Sequence, residues 1–155
     1  MAIKPGQDPN KRAVYDAEHS WQRGSSNTGA ELTSRQARKL SRQILNHPAL
    51  NDVEGIDEAR KSLLNRVSVR SGLIEKVAPG TVAATNGLGI TLFNKNKPIT
   101  VGTVTHEVAH KILKKAPIEG HGEEFTQLHR KIVKNTVGRV AEMNLGAAYA
   151  KTGAR

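Results

Sequence analysis

Thr105-His106-Glu107-Val108-Ala109-His110-Lys111 is the stretch on which the reading of this chain turns. On a helix, His106 and His110 lie four residues apart on one face, with Cβ atoms about 5–6 Å apart. Two imidazoles so placed reach one zinc ion at about 2.0–2.1 Å each. Glu107 falls on the neighbouring face, where it does not ligate the same ion but reaches a water beside it. The known use of H-E-x-x-H is metal-assisted hydrolysis, with the Glu as general base. The same residues on an exposed helix can also be no more than a solvated face. Against that, Val101, Val104, Val108 and Ile112 recur at helical spacing within 99–115. The His pair sits at the edge of that apolar arc, where a cleft would open.

Downstream, Pro117 stops the helix near Lys115, and Ala116-Pro117-Ile118-Glu119-Gly120 turns the chain back. His121-Gly122-Glu123-Glu124-Phe125 then opens a helix whose inner face carries Phe125, Leu128 and Ile132. Extended back four residues, that face includes His121, which becomes the expected third ligand. Glu124, near the border of the face, is the alternative third ligand, as in sites of two His and one Glu. Glu123 points away, and both acids also suit a helix N-terminus through its dipole. His129 stands about 12 Å along the helix axis from His121. The two cannot share an ion, so His129 is expected as a packed or supporting residue.

Upstream, Val67 and Val69 alternate with Ser68 and Arg70, and Thr81-Val82-Ala83-Ala84 precedes the turn dipeptide Asn86-Gly87. Gly89-Ile90-Thr91-Leu92-Phe93-Asn94 is a short apolar run. Together they predict a sheet of about three strands just before the motif helix, which Thr100 caps. The expected fold class is therefore α+β, one domain over residues 1–155. Its small sheet packs on the H-E-x-x-H helix, with helices at both ends of the chain.

Nearer the start, residues 1–7 read as loose. Asp8-Pro9 reads as an N-cap and first helical residue, and Val14, Ala17 and Trp21 as the stripe of a first helix running to about Arg23. His19 is expected at the surface of that helix. After the break at 24–29, Thr33 and Gln36 form a capping box for a helix striped by Ala37, Leu40 and Ile44. Its other faces carry Arg35, Arg38, Lys39 and Arg42, a solvated face or a phosphate-contacting strip. His47-Pro48 ends it, and Ile56 to Leu64 reads as a short helix. Val137 to Lys151, with Val140, Leu145, Ala148 and Tyr149 apolar, reads as a closing helix.

The 155 residues contain no cysteine, which excludes a disulfide framework and a thiolate-bound metal and leaves His and carboxylates as donors. Residues 1–9 lack the apolar core of a secretory signal, and no apolar run reaches membrane-span length. A cytoplasmic protein, in a bacterium or a host cell, is expected; a virion-packaged one would read the same. The net charge of +10 raises nucleic acid as a partner. Five aromatics, Phe93 and Phe125 expected in the core, support no base-stacking surface.

His106-Glu107-Val108-Ala109-His110, a gap of ten, then His121-Gly122-x-x-Phe125 resembles the SprT-like zincins. The resemblance is nearest to a group of metallohydrolases, named from their motif, of actinobacteria and their phages. Val14-Tyr15-Asp16-Ala17-Glu18 matches the opening helix of that group, and Ala147-Ala148-Tyr149 with Gly153 its ending; residues 48–80 match nothing specific. The resemblance implies a compact zincin-type domain with one Zn2+ on His106, His110 and His121, and Glu107 as base. It also implies a cleft strand able to accept an extended peptide, for which Gly89, Ile90, Thr91, Leu92 and Phe93 are the candidates. A zinc metallopeptidase acting on a peptide or protein is the expected function. The alternatives are a non-catalytic structural or phage component stabilised by zinc, and a basic DNA-associated protein. Tyr15, Tyr149 and His129 are candidates for oxyanion stabilisation by side-chain type alone.

Overall fold

The computed structural model describes residues 10–24, 27–61, 99–113 and 121–154 in full, and residues 62–63, 67–69, 83–85 and 91–93 as backbone. Six α-helices carry it: α1 (Lys11–Arg23), α2 (Ser34–Leu45), α3 (Ile56–Leu63), α4 (Val101–Leu113), α5 (Glu123–Thr136) and α6 (Arg139–Thr152). A short 3₁₀ turn, Pro48–Leu50, lies between α2 and α3.

The centre is α4. Apolar residues alone would bury one stripe of it, but almost the whole circumference is covered, including Thr105, His106, Glu107 and Lys111. Helices α2, α3 and α5 pack against it, while α1 and α6 run along each other and α6 also packs on α5. The core joins Val14, Ala17 and Trp21 of α1, Ile44 and Leu45 of α2, Val104, Val108 and Ile112 of α4, Phe125, Leu128 and Ile132 of α5, and Leu145 and Tyr149 of α6.

Local signals explain the starts of α2, α3 and α4. The α2 capping box is complete: Gln36 N–H donates to Thr33 Oγ1 at 3.1 Å, and Thr33 N–H to Gln36 Oε1 at 2.9 Å. Thr100 Oγ1 accepts from Thr103 N–H at the start of α4. Gly55 adopts φ +87°, and a Cβ there would stand 2.6 Å from the Ile112 carbonyl oxygen. Only glycine lets the entry to α3 lie against the end of α4. The chain from 28 to 32 clamps the other end, through Gly102 N–H to the Thr28 carbonyl and Leu32 N–H to the Ile99 carbonyl. No helix among the described residues is long and apolar enough to cross a membrane.

The expectation of an α+β domain built on a three-stranded sheet does not hold; the fold is helical. Every described core side chain lies in a helix or a link between helices. Among the described residues, strand pairing covers three residues each at Val67–Val69, Ala83–Thr85 and Thr91–Phe93, with no described side chain, and one isolated bridge joins Glu31 to Thr100. Alternation over three residues is too short to supply a face that buries a core, whereas stripes repeated over three turns are not. Gly89 and Ile90 lie outside the described residues, as do the side chains of Thr91, Leu92 and Phe93, so the cleft-strand reading falls outside what the structure describes. Asp8 and Pro9 also lie outside them, and α1 begins at Lys11 after Asn10. Val140, one of the apolar residues of the closing helix, is 72% exposed.

Candidate metal centre

His106 and His110 project from successive turns of α4. His121 does not extend α5 as its periodicity suggests. It lies in the turn before Gly122, the extended N-cap of α5. The Asn10 side-chain amide donates to the His121 carbonyl, tying this turn to the start of α1. Asn10 consequently makes no side-chain cap on its own helix.

The three Nε2 atoms form a triangle. His110 Nε2 is 3.1 Å from His106 Nε2 and 3.0 Å from His121 Nε2, and the third side is 3.3 Å. Three imidazole nitrogens on one tetrahedral zinc stand about 3.3 Å apart, given bonds of about 2.0–2.1 Å. The triangle is within a few tenths of an ångström of that. Hydrogen bonding among the rings alone does not satisfy it. Each neutral imidazole has one proton, and His106 places its own at the opposite nitrogen. At least one edge then brings two lone pairs or two N–H groups together, and a cation shared by three bare Nε2 atoms resolves all three edges at once. The donor set of nitrogens without thiolate fits zinc. Glu107 is buried with Oε1 4.0 Å from His106 Nε2, beside the triangle rather than in it. Glu124 is exposed and stands apart from the cluster.

Behind His106 lies a second set of groups. His106 Nδ1 is 2.7 Å from Glu18 Oε1 of α1. Glu18 Oε2 accepts from the Tyr149 hydroxyl of α6 at 2.9 Å. The Tyr149 oxygen is 2.7 Å from His129 Nδ1, and His129 Nε2 is 2.7 Å from Thr105 Oγ1. An ionised carboxylate only accepts, so His106 carries its proton on Nδ1. Tyr149 donates to Glu18 and therefore accepts from His129 Nδ1–H. His129 Nε2 is then left as an acceptor. The single hydroxyl proton of Thr105 has two acceptors in reach, His129 Nε2 and the Gly102 carbonyl at 2.9 Å.

Phe125 packs against all four rings, with centroids 4.7 Å from His106, 4.6 Å from His110, 5.1 Å from His121 and 5.7 Å from His129. Trp21 meets His129 edge-on at 5.8 Å, and its Nε1–H donates to the Ala141 carbonyl. Tyr15 is 42% exposed and stacks over His106 at 5.6 Å and beside His121 at 5.1 Å.

These surroundings set the protonation states. Burial, then the neighbouring His106 and His121 rings, hold His110 well below the usual imidazole range, so it offers a lone pair. Burial pushes His129 down to about 4, against the pull of Glu18. Burial alone would raise Glu18, but the His106 and His129 rings and the Tyr149 hydroxyl outweigh it and keep the carboxyl below its ordinary value. Burial disfavours charge on His106, yet Glu18 raises its affinity for a proton overall. Burial and Glu18 raise the Tyr149 phenol well above its ordinary value.

Of the residues named from sequence, the structure brings His106, Glu107, His110 and His121 together and places His129 behind them. His19 is exposed, as are Arg35, Arg38, Lys39 and Arg42. Sequence reading gave Glu18 and Thr105 no role. Glu18 did carry a signal: an acid one position after the buried Ala17, on the inward arc of α1. No family model matches the chain, and none of the curated proteins or solved structures searched matches it either.

Proposed function

We infer that this chain is a zinc-dependent hydrolase, with the peptide bond as its favoured target. The observation that carries the reading is the Nε2 triangle with sides of 3.0–3.3 Å and a buried carboxylate 4.0 Å from one corner. His106, His110 and His121 would hold the ion and leave its fourth position to water or substrate. When bound, zinc supplies Lewis acidity toward a carbonyl oxygen and an adjacent water. Glu107 takes a proton from the attacking water and returns it to the leaving amine, work suited to a carboxylate that is near the triangle but outside it. Three residues have the side-chain type for oxyanion stabilisation. Tyr149 and His129 are committed behind His106, which leaves Tyr15, exposed beside the triangle. The SprT-like resemblance supports the same reading.

The test pairs zinc stoichiometry with hydrolysis of a broad fluorogenic peptide set. Glu107→Gln should keep one equivalent of zinc and lose about 10²–10⁴ in rate. Absence of stoichiometric zinc in the wild-type protein, or an active Glu107→Gln protein, overturns the reading. Burial of His106 and His121, 5% and 6% exposed, favours a second reading in which zinc only staples helices together. Wild-type protein that binds zinc tightly, needs it to fold and cleaves no peptide would establish that instead.

A further inference from the structure

The groups behind His106 are organised around a single acceptor. Glu18 lies on α1, His106 on α4, His129 on α5 and Tyr149 on α6, so one buried carboxylate joins three other helices. Its two oxygens are used separately, Oε1 by His106 and Oε2 by Tyr149. The donors run in one direction, His129 to Tyr149 and Tyr149 to Glu18, with the Thr105 hydroxyl in reach of His129 Nε2. No arrangement that keeps Glu18 ionised lets a neutral His106 carry its one proton on Nε2 and still bond to Glu18. The hydrogen bond therefore selects the His106 tautomer whose Nε2 lone pair points into the triangle. A carboxylate on the far nitrogen also makes that lone pair more basic.

We propose that Glu18, oriented by Tyr149, is a positioning residue that locks His106 in the Nδ1–H tautomer and thereby sets the affinity of the three-imidazole cluster for zinc. The proposal rests on the zinc reading for its second half only; the tautomer is a property of the metal-free protein. Because Glu18 and Tyr149 come from the first and last helices, docking of α1 and α6 and occupation of the cluster become one linked equilibrium. Zinc binding then protects both helices from opening, and loosening either helix weakens zinc.

Long-range ¹H–¹⁵N correlation of the histidine rings in metal-free wild-type protein reads the tautomer directly. Read at alkaline pH, where the ring is neutral, His106 should show protonated Nδ1 and bare Nε2. Zinc competition against a chromophoric chelator should then show affinity lower by about 10–100-fold in Glu18→Gln, and by a smaller factor in Tyr149→Phe. Glu18→Asp, which keeps the charge, should recover part of the Glu18→Gln loss. A merely structural role for Glu18 would lower stability without changing the His106 tautomer. A neutral His106 ring protonated on Nε2 in the wild-type protein, or zinc affinity unchanged in both Glu18→Gln and Tyr149→Phe, overturns the proposal. Should Glu18→Gln not fold, the wild-type spectrum and Tyr149→Phe still decide it. Wild-type protein with the expected tautomer but no zinc binding refutes the metal reading and leaves the tautomer assignment standing.

Discussion

The two nitrogens of His106 face different kinds of chemistry. On the Nε2 side, three imidazoles come from two neighbouring stretches of chain, and their ring nitrogens converge on one point. On the Nδ1 side, Glu18 and Tyr149 come from helices at opposite ends of the chain, and every proton has an acceptor. The first side is built to receive something. The second is built to be finished, and it holds the first in shape. A buried hydrogen-bonded network of this kind specifies one arrangement only when all its members are satisfied.

Four measurements break or sharpen this contrast. Phe125 touches rings on both sides of His106, so Phe125→Ala should blur the two. We expect a loss of about 3–5 kcal/mol in unfolding free energy by denaturant titration, with weaker zinc binding. A loss below 1 kcal/mol would mean that the rings are held without it. Zinc, if the proposed site holds it, would act first on the Nε2 side only. At about 100 times its Kd it should stabilise the protein by about 2.7 kcal/mol, with slowed amide exchange in both α1 and α6. Protection confined to α4 would separate the two sides.

Acid acts on both sides through the depressed imidazoles. His129, pushed down to about 4 by burial, stays neutral in the fold while the unfolded chain takes up a proton below about 6.5. Stability from His129 is complete above about pH 6.5 and is lost as pH falls toward 4. His110, depressed by burial and by the His106 and His121 rings, contributes with the same sign. His106, raised by Glu18, opposes them with a contribution present at low pH and lost as pH rises. With two depressed rings against one raised, metal-free protein should melt at lower temperature at pH 5 than at pH 7.5; an equal or higher melting point at pH 5 would refute this balance. The smallest effect belongs to Glu124. It lies on neither side, and Glu124→Gln should leave zinc affinity unchanged; a tenfold loss would restore it as a ligand.

What could be read from sequence follows the same division. His106, Glu107 and His110 are visible because a helix turns four residues of separation into proximity. His121 is visible in part: its inward direction follows from Phe125, Leu128 and Ile132, but it sits in the turn before Gly122, held by Asn10 from far away in the chain. The capping box at Thr33 and the Ile56 helix are local and are found where expected. The bond between Glu18 and Tyr149 spans 131 residues, and no periodicity encodes it. The helical character was misread for the opposite reason. Val67, Val69 and the run from 89 to 94 alternate or cluster as strands do, but the core is assembled by longer stripes, and the motif helix buries nearly all its faces rather than one.

Trp21 gives the molecule an optical reporter of its own state. It is the only tryptophan in the chain, so intrinsic indole emission comes from one place. That place is the edge of His129, with the indole N–H fixed to the Ala141 backbone of α6. A neutral imidazole quenches indole weakly and an imidazolium strongly. Emission intensity should therefore follow the charge on His129, and emission wavelength the seating of α1 against α6. Titrations with acid, zinc or denaturant can be followed in the unlabelled protein through a ring outside the three-imidazole cluster.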